Sequence, residues 1–184
     1  MKRLILFMLC FTLCFSAFAQ EIDSDYVFRA SQAGDQYAKI NLALNLPNRP
    51  EQLNIGGSGT LGYHVFVTDN FNLGGDVGFN YLKTVGDNVF YFIPILFKAG
   101  YQFNTGKFEI PLYLGIGGSI QNYIDRTYFG LTLKPEVGIY YRTSSDFSFG
   151  ILAGVYVMPQ WYKNTSHNYT GVITDLSLSV RYHF

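Results

Sequence analysis

The apolar and polar positions of the chain alternate with a period of two over most of its length, the signature of strands with two unlike faces. In Phe71 to Leu82 one set of positions reads Phe71, Leu73, Gly75, Val77, Phe79, Tyr81, and the other reads Asn72, Gly74, Asp76, Gly78, Asn80, Leu82. Similar stretches surround Leu42–Leu44, Ile93–Tyr101, Phe108–Ile116, Phe129–Tyr141, Phe147–Val157 and Leu176–Phe184, and Ile55 to Val67 completes a set of eight segments. Their apolar faces carry no Asp, Glu, Lys or Arg, an exclusion that water does not impose and lipid does. Thr68–Asn70, Asn104–Lys107 and Thr143–Asp146 have the composition of tight turns. Longer links are expected at Pro47–Gln52, Lys83–Asn88, Asn122–Arg126 and Pro159–Thr170. The pattern predicts an all-β fold, a closed antiparallel eight-stranded transmembrane up-and-down β-barrel with short turns at one end and longer loops at the other. A soluble lipocalin-like barrel is the competing fold, and it requires the two faces to be reversed.

Composition narrows the choice. Aromatic residues make up 18% of the chain and charged residues 14%, with 19 glycines, whereas soluble domains carry about 25% charge. The balanced net charge gives no field to attract nucleic acid. Outward aromatics fall at two levels. Tyr63, Phe71, Tyr101, Phe103, Phe108, Tyr141, Phe147, Tyr182 and Phe184 lie at the turn end, and Phe79, Tyr81, Tyr91, Phe129 and Trp161 at the other. Two aromatic girdles are the mark of a barrel crossing a bilayer.

At the N-terminus, Lys2 and Arg3 precede an apolar run ending in Ala17-Phe18-Ala19, the layout of a secretory signal peptide. The expected organisation is a cleaved signal peptide at 1–19, a short periplasmic segment at 20–35 and the barrel at 36–184. Both cysteines, Cys10 and Cys14, lie in the first part, so the mature chain has no disulfide and no thiolate chemistry.

The final strand, "LSLSVRYHF", resembles the closing strand of bacterial outer-membrane proteins, with outward hydrophobics at alternate positions and a terminal Phe. The whole mature chain is similar to the small barrels of the OmpA-transmembrane, OmpX and OmpW type. That resemblance implies recognition of Tyr182 and Phe184 as an assembly signal by the barrel-assembly machinery, and contact with outer-membrane lipid. The chain stops at Phe184 without the peptidoglycan-binding domain of full-length OmpA-like proteins, so no wall-tethering role is expected. A monomer is expected, and no residue pattern names a surface ligand.

Chemistry inside the barrel comes from the polar face. Lys39, Asp76, Lys98, Glu109, Lys134, Glu136, Arg142, Asp175 and Arg181 point inward, a mixture of signs that predicts a paired network. Phe66, Phe92, Tyr113, Tyr140 and Tyr156 add bulk to an interior that eight strands leave only wide enough for side chains. A side-chain-filled lumen with a structural or surface-interaction role is the leading expectation. The first alternative is a small channel for small or hydrophobic solutes, as the OmpW resemblance allows, with Pro94, Pro111 and Pro135 marking either bulges and bends or a lateral opening. The second is a lipid-modifying enzyme using His64 beside Asp76 as a base; this has no clear serine partner, and a hydrogen-bonded buried histidine is the simpler reading. His167 reads as a solvated loop residue. No catalytic residue, cofactor or metal site is expected.

Gly57, Gly59 and Gly62 spell G-x-G-x-x-G, but alternation continues through Tyr63, Val65 and Val67, so no helix follows to cradle a phosphate. These glycines read as places where the wall bends or is closely approached. The sequons at Asn164 and Asn168 fit an exposed loop. Trp161 and Tyr162 fit an interfacial anchor or the start of a binding surface.

Overall fold

The computed structural model describes residues 31–123, 126–161 and 169–184. Its strands are β1 (Gln36–Arg49), β2 (Gly56–Thr68), β3 (Phe71–Lys83), β4 (Val89–Thr105), β5 (Phe108–Tyr123), β6 (Arg126–Arg142), β7 (Phe147–Gln160) and β8 (Tyr169–His183). Each pairs antiparallel with its sequence neighbour, and β1 pairs with β8 to close the barrel. The seam runs from Tyr37↔His183 to Arg49↔Val172, so no strand is left with an open edge that would expose unpaired backbone groups.

The two faces sort as lipid would require. Ile40, Leu42, Leu44, Leu61, Ile95, Phe97, Leu114, Ile151 and Leu178 are exposed on the outer wall, while Lys39, Asp76, Lys98, Glu136, Asp175 and Arg181 are buried inside. A lipocalin-like barrel has the opposite arrangement. At the turn end, Tyr63, Phe184, Tyr182 and Phe147 form a run of ring contacts with centroids 6.1, 5.8 and 5.1 Å apart. Ala38, which pairs with both Tyr63 and Tyr182, leaves room for these rings to reach across the seam.

The turn-end connections are tight. Asp69 and Asn70 join β2 to β3, with Asn70 at φ 68, and Gly106 takes φ 59 between β4 and β5. Both occupy the left-handed region, which Gly and Asn adopt at least cost. Ser31–Asp35 folds back onto this end. Gly34 N donates to Phe66 O at 2.8 Å, Asn70 N to Ser31 O at 3.0 Å, and Gln102 Nε2 to Ser31 Oγ at 2.6 Å.

Two sequence expectations need correction. The link at Asn122–Arg126 is not long: Asn122↔Thr127 and Tyr123↔Arg126 are paired, so β5 and β6 continue as a hairpin almost to its tip. Asn and Arg signal loops by composition, but here the strands simply extend past the apolar band. Nor do Pro94, Pro111 and Pro135 mark bulges. The β3–β4 ladder passes from Val77↔Ile95 to Asn80↔Phe92 across Pro94 with its register unchanged. The β5–β6 ladder does the same across Pro111, and the β6–β7 ladder across Pro135. Each proline lacks the N–H for one neighbour, so a ladder is interrupted without slipping. The register shifts lie instead at Pro47/Arg49 and Phe66/Thr68.

Candidate functional site

The lumen is built in layers, because inward positions at the same height on neighbouring strands must share one small cross-section. At mid-height, the carboxylate of Asp76 on β3 meets Lys39 of β1 at 3.0 Å and Lys98 of β4 at 2.6 Å. Lys98 also contacts Glu136 of β6. Glu136 lies 3.3 Å from Lys134, which reaches Asp175 of β8 at 2.9 Å. A zigzag of three lysines and three carboxylates thus crosses the barrel from β1 to β8. Lys134 donates a hydrogen bond to Asp175, while Lys39, Lys98 and Glu136 meet their partners without well-directed hydrogen bonds. Charge balance holds this layer together more than bond geometry does.

Below it, towards the turns, Arg181 is the hub. It donates to Gln102 at 2.9 Å, to Glu109 at 3.1 Å and to the Tyr113 hydroxyl at 2.7 Å. Its guanidinium lies 3.4 Å from the Tyr140 ring centroid and 4.8 Å from that of Tyr37. Arg142 pairs with the other oxygen of Glu109 at 3.1 Å. Tyr37 and Tyr113 share a 2.6 Å hydroxyl contact, which joins this layer to the ring of His64, stacked on Tyr37 with 2° between the planes.

His64 does approach Asp76, with Nε2 3.0 Å from Oδ1. The pair is sealed inside the wall, with His64 fully buried between Tyr37 and Tyr113. Asp76 is committed to two lysines as well. That surrounds the histidine with packing and ion pairs, not with a surface that a lipid substrate could reach. His167, Tyr162 and the sequons at Asn164 and Asn168 lie outside the described residues. Trp161 is exposed, and its backbone N–H donates to the Tyr128 hydroxyl at 3.3 Å.

Above the charges, towards the loops, an apolar cluster packs beside uncharged polar side chains, with Asn80 and Gln121 opposite Phe92 and Ser119 bonded to Gln121 and Thr132. Leu53, Leu82, Phe92, Leu96, Tyr156, Met158 and Ile173 form one buried cluster, with Phe90 packed against it. Phe92 and Tyr156 meet edge to face at 5.1 Å. Tyr156 joins the layers, since Lys134 Nζ sits 4.2 Å from its ring centroid. Sequence reasoning anticipated Phe92 and Tyr156 but not the others. Single leucines on a polar face carry no signal until strand register stacks them at one height. Tyr37 was missed for the same reason.

Register also explains the inward glycines. Gly62 is opposite both Lys39 and Asp76, and a Cβ there would fall on the Asp76 carboxylate and 2.7 Å from Lys39 Cε. A Cβ on Gly74 would clash with the Tyr63 carbonyl oxygen and the edge of the His64 ring. These glycines are the empty halves of sockets for large side chains on adjacent strands. The G-x-G-x-x-G stretch is therefore part of strand β2, with Gly62 making room for the ion layer.

Among the described residues, clefts indent both ends of the barrel. One, of about 370 Å³, is lined by Arg49, Pro50, Glu51, Gln52 and Tyr169 at the loop end. The other, of about 220 Å³, is lined at the turn end by residues including Asp35, Arg142, Asp146 and His183.

Comparison with known proteins agrees with this architecture. A protein-family model matches residues 18–182. An uncharacterized protein of Treponema pallidum (strain Nichols) is 34% identical over 129 residues, covering 70% of this chain and 59% of that protein. The chain thus matches less than two thirds of that relative's length. Among solved structures, Neisserial surface protein A (NspA) aligns with a TM-score of 0.63 at 14% identity, covering 82% of this chain and 99% of that one. The outer membrane protein OprG from Pseudomonas aeruginosa aligns with a TM-score of 0.58 at 11% identity, covering 83% and 97%. The chain therefore belongs to the family whose model spans residues 18–182, and its fold is that of the small eight-stranded outer-membrane barrels.

Proposed function

We propose that the protein is an integral outer-membrane barrel with a closed lumen, acting through its wall and surface loops and not as a conduit or an enzyme. The observation that carries this reading is the filling of the interior by two unlike layers, an ion-pair lattice from Lys39 to Asp175 and an apolar cluster from Leu53 to Ile173. Open pores need a continuous wet path, whereas here each buried charge has an opposite charge as neighbour. In this reading, residues 1–19 direct export, the turns face the periplasm and the loops face outward. Tyr182 and Phe184 present the strand that the assembly machinery reads, and the barrel works as a monomer.

Planar-bilayer recording of purified, refolded protein tests the closed lumen. A silent membrane is the expected result, with folding checked by the shift between boiled and unboiled samples on a detergent gel. Reproducible conductance steps would overturn it. A small channel ranks second, supported by the ladder interruptions at Pro94, Pro111 and Pro135. It ranks lower because the register is continuous across each proline, and Pro94 and Pro111 are packed inward.

A further inference from the structure

The two charged layers of the lumen are not balanced alike. In the middle layer three lysines, Lys39, Lys98 and Lys134, face three carboxylates, Asp76, Glu136 and Asp175. In the turn-end layer two guanidinium groups share one carboxylate: Arg181 takes one oxygen of Glu109 and Arg142 the other, both at 3.1 Å. Glu109 is the only acid that pairs with Arg142 among the described residues. The layer therefore holds one positive charge more than its carboxylate neutralises, in a buried setting where an uncompensated charge is costly.

The excess falls on Arg142. Arg181 is bonded to Gln102, Glu109 and Tyr113 and covered by the Tyr140 ring. Arg142 is only 7% exposed, yet its guanidinium donates no well-directed hydrogen bond among the described residues. It lines the turn-end cleft of about 220 Å³ together with buried His183 and Phe66. That space is equivalent to roughly seven water molecules, so it admits a small molecule and not a length of chain. Two further carboxylates, Asp35 and Asp146, line the same cleft. Asp35 accepts from Gln32 N at 2.9 Å and Asp146 from Ser145 Oγ at 2.7 Å, and neither pairs with a cation among the described residues. Asp146 is exposed at the rim, whereas Arg142 is buried at the floor.

We propose that the turn-end cleft is a binding site for a small zwitterion of the amino-acid type, with its carboxylate on Arg142 and its ammonium group against Asp146 and Asp35. A carboxylate matches the guanidinium fork, and its single charge equals the excess in the layer. A phosphate group carries about 1.5 to 2 charges and is repelled by the two rim acids. A simple cation is repelled by Arg142, and such like-charge contacts are what reject the wrong ligand. Phe66 and Phe184 give the cleft an apolar part for the ligand's carbon atoms. The site lies at the opposite end from the apolar cluster, so it does not depend on whether the lumen conducts.

The probes are L-alanine, propionate, ethylammonium and inorganic phosphate, titrated into the refolded protein in lipid nanodiscs. Propionate is alanine without its ammonium group, and ethylammonium is alanine without its carboxylate. NMR of the His183 ring is the readout, joined in the parent protein by the Arg142 Nε–H. Alanine is expected to shift both signals with a Kd on the order of 1 mM, within what so few atoms can supply. It should bind roughly tenfold more tightly than each of the other probes. No shift with alanine would overturn the proposal, as would any other probe binding as tightly. Arg142→Gln leaves Arg181 and Glu109 as a balanced pair, so the barrel is expected to fold and to bind alanine and propionate about tenfold more weakly. Asp146→Asn, at an exposed position, decides the question even where Arg142→Gln fails to fold. There alanine is expected to weaken roughly threefold to fivefold while propionate holds or tightens. Unchanged alanine affinity in either folded variant would contradict the site, and so would equal losses of alanine and propionate in Asp146→Asn.

Discussion

The two halves of the lumen close the barrel by opposite physics. In the middle and turn-end half, bulky charged and aromatic side chains are locked by partners on other strands, as Arg181 is by Gln102, Glu109, Tyr113 and Tyr140. In the loop-end half, an apolar cluster that includes a residue from a connection packs beside uncharged polar pairs, such as Thr132 with Ser119 and Gln160 with Gln121. A buried ion pair adds little net stability over a hydrophobic replacement, yet removing one partner is strongly destabilising. An apolar cluster loses only what is deleted, plus the void left behind. The lower half therefore specifies one arrangement of the strands, and the upper half tolerates change.

That contrast breaks first at Asp76, which serves Lys39, Lys98 and His64 together. Asp76→Ala strands Lys39, leaves Lys98 with Glu136 alone, and is expected to cost about 3–5 kcal/mol in urea unfolding from lipid. A loss below about 1 kcal/mol would show that the charges are not mutually dependent. In the apolar half, Leu82→Ala should cost about 3 kcal/mol in the same assay. A loss larger than that of Asp76→Ala would invert the comparison. Gly62→Ala tests the socket, since its methyl group would fall on the Asp76 carboxylate. Overpacking there is expected to cost about 2 kcal/mol, and a neutral outcome would mean the ion layer shifts freely. Lys83→Ala, at an exposed outer position, should change stability by less than about 0.5 kcal/mol.

The same division governs what the sequence made legible. Alternation found the strands, because a residue's face depends only on its neighbours in the chain. The inward charges were legible too, since Lys39 or Glu136 on a polar face has one direction to point. Which charges meet was not, because Lys98 reaches both Asp76 and Glu136 only through the registers of β3, β4, β5 and β6. Leu82, Leu96, Met158 and Ile173 were hidden for the related reason that a layer is a property of several strands at once. Leu53 was hidden more deeply, since a loop residue has no alternating face. The glycines were half legible: close approach was readable, but the side chain filling each socket sits on another strand.

Single-channel recording of the double variant Phe92→Ala/Leu96→Ala tests the central claim, that the lumen is closed twice and independently. With the apolar half emptied and the Lys39–Asp175 lattice intact, the account predicts a folded, heat-modifiable barrel that remains silent. Conductance steps in this variant would contradict it, showing that the apolar cluster was the only barrier and that the ion layer is a wet path.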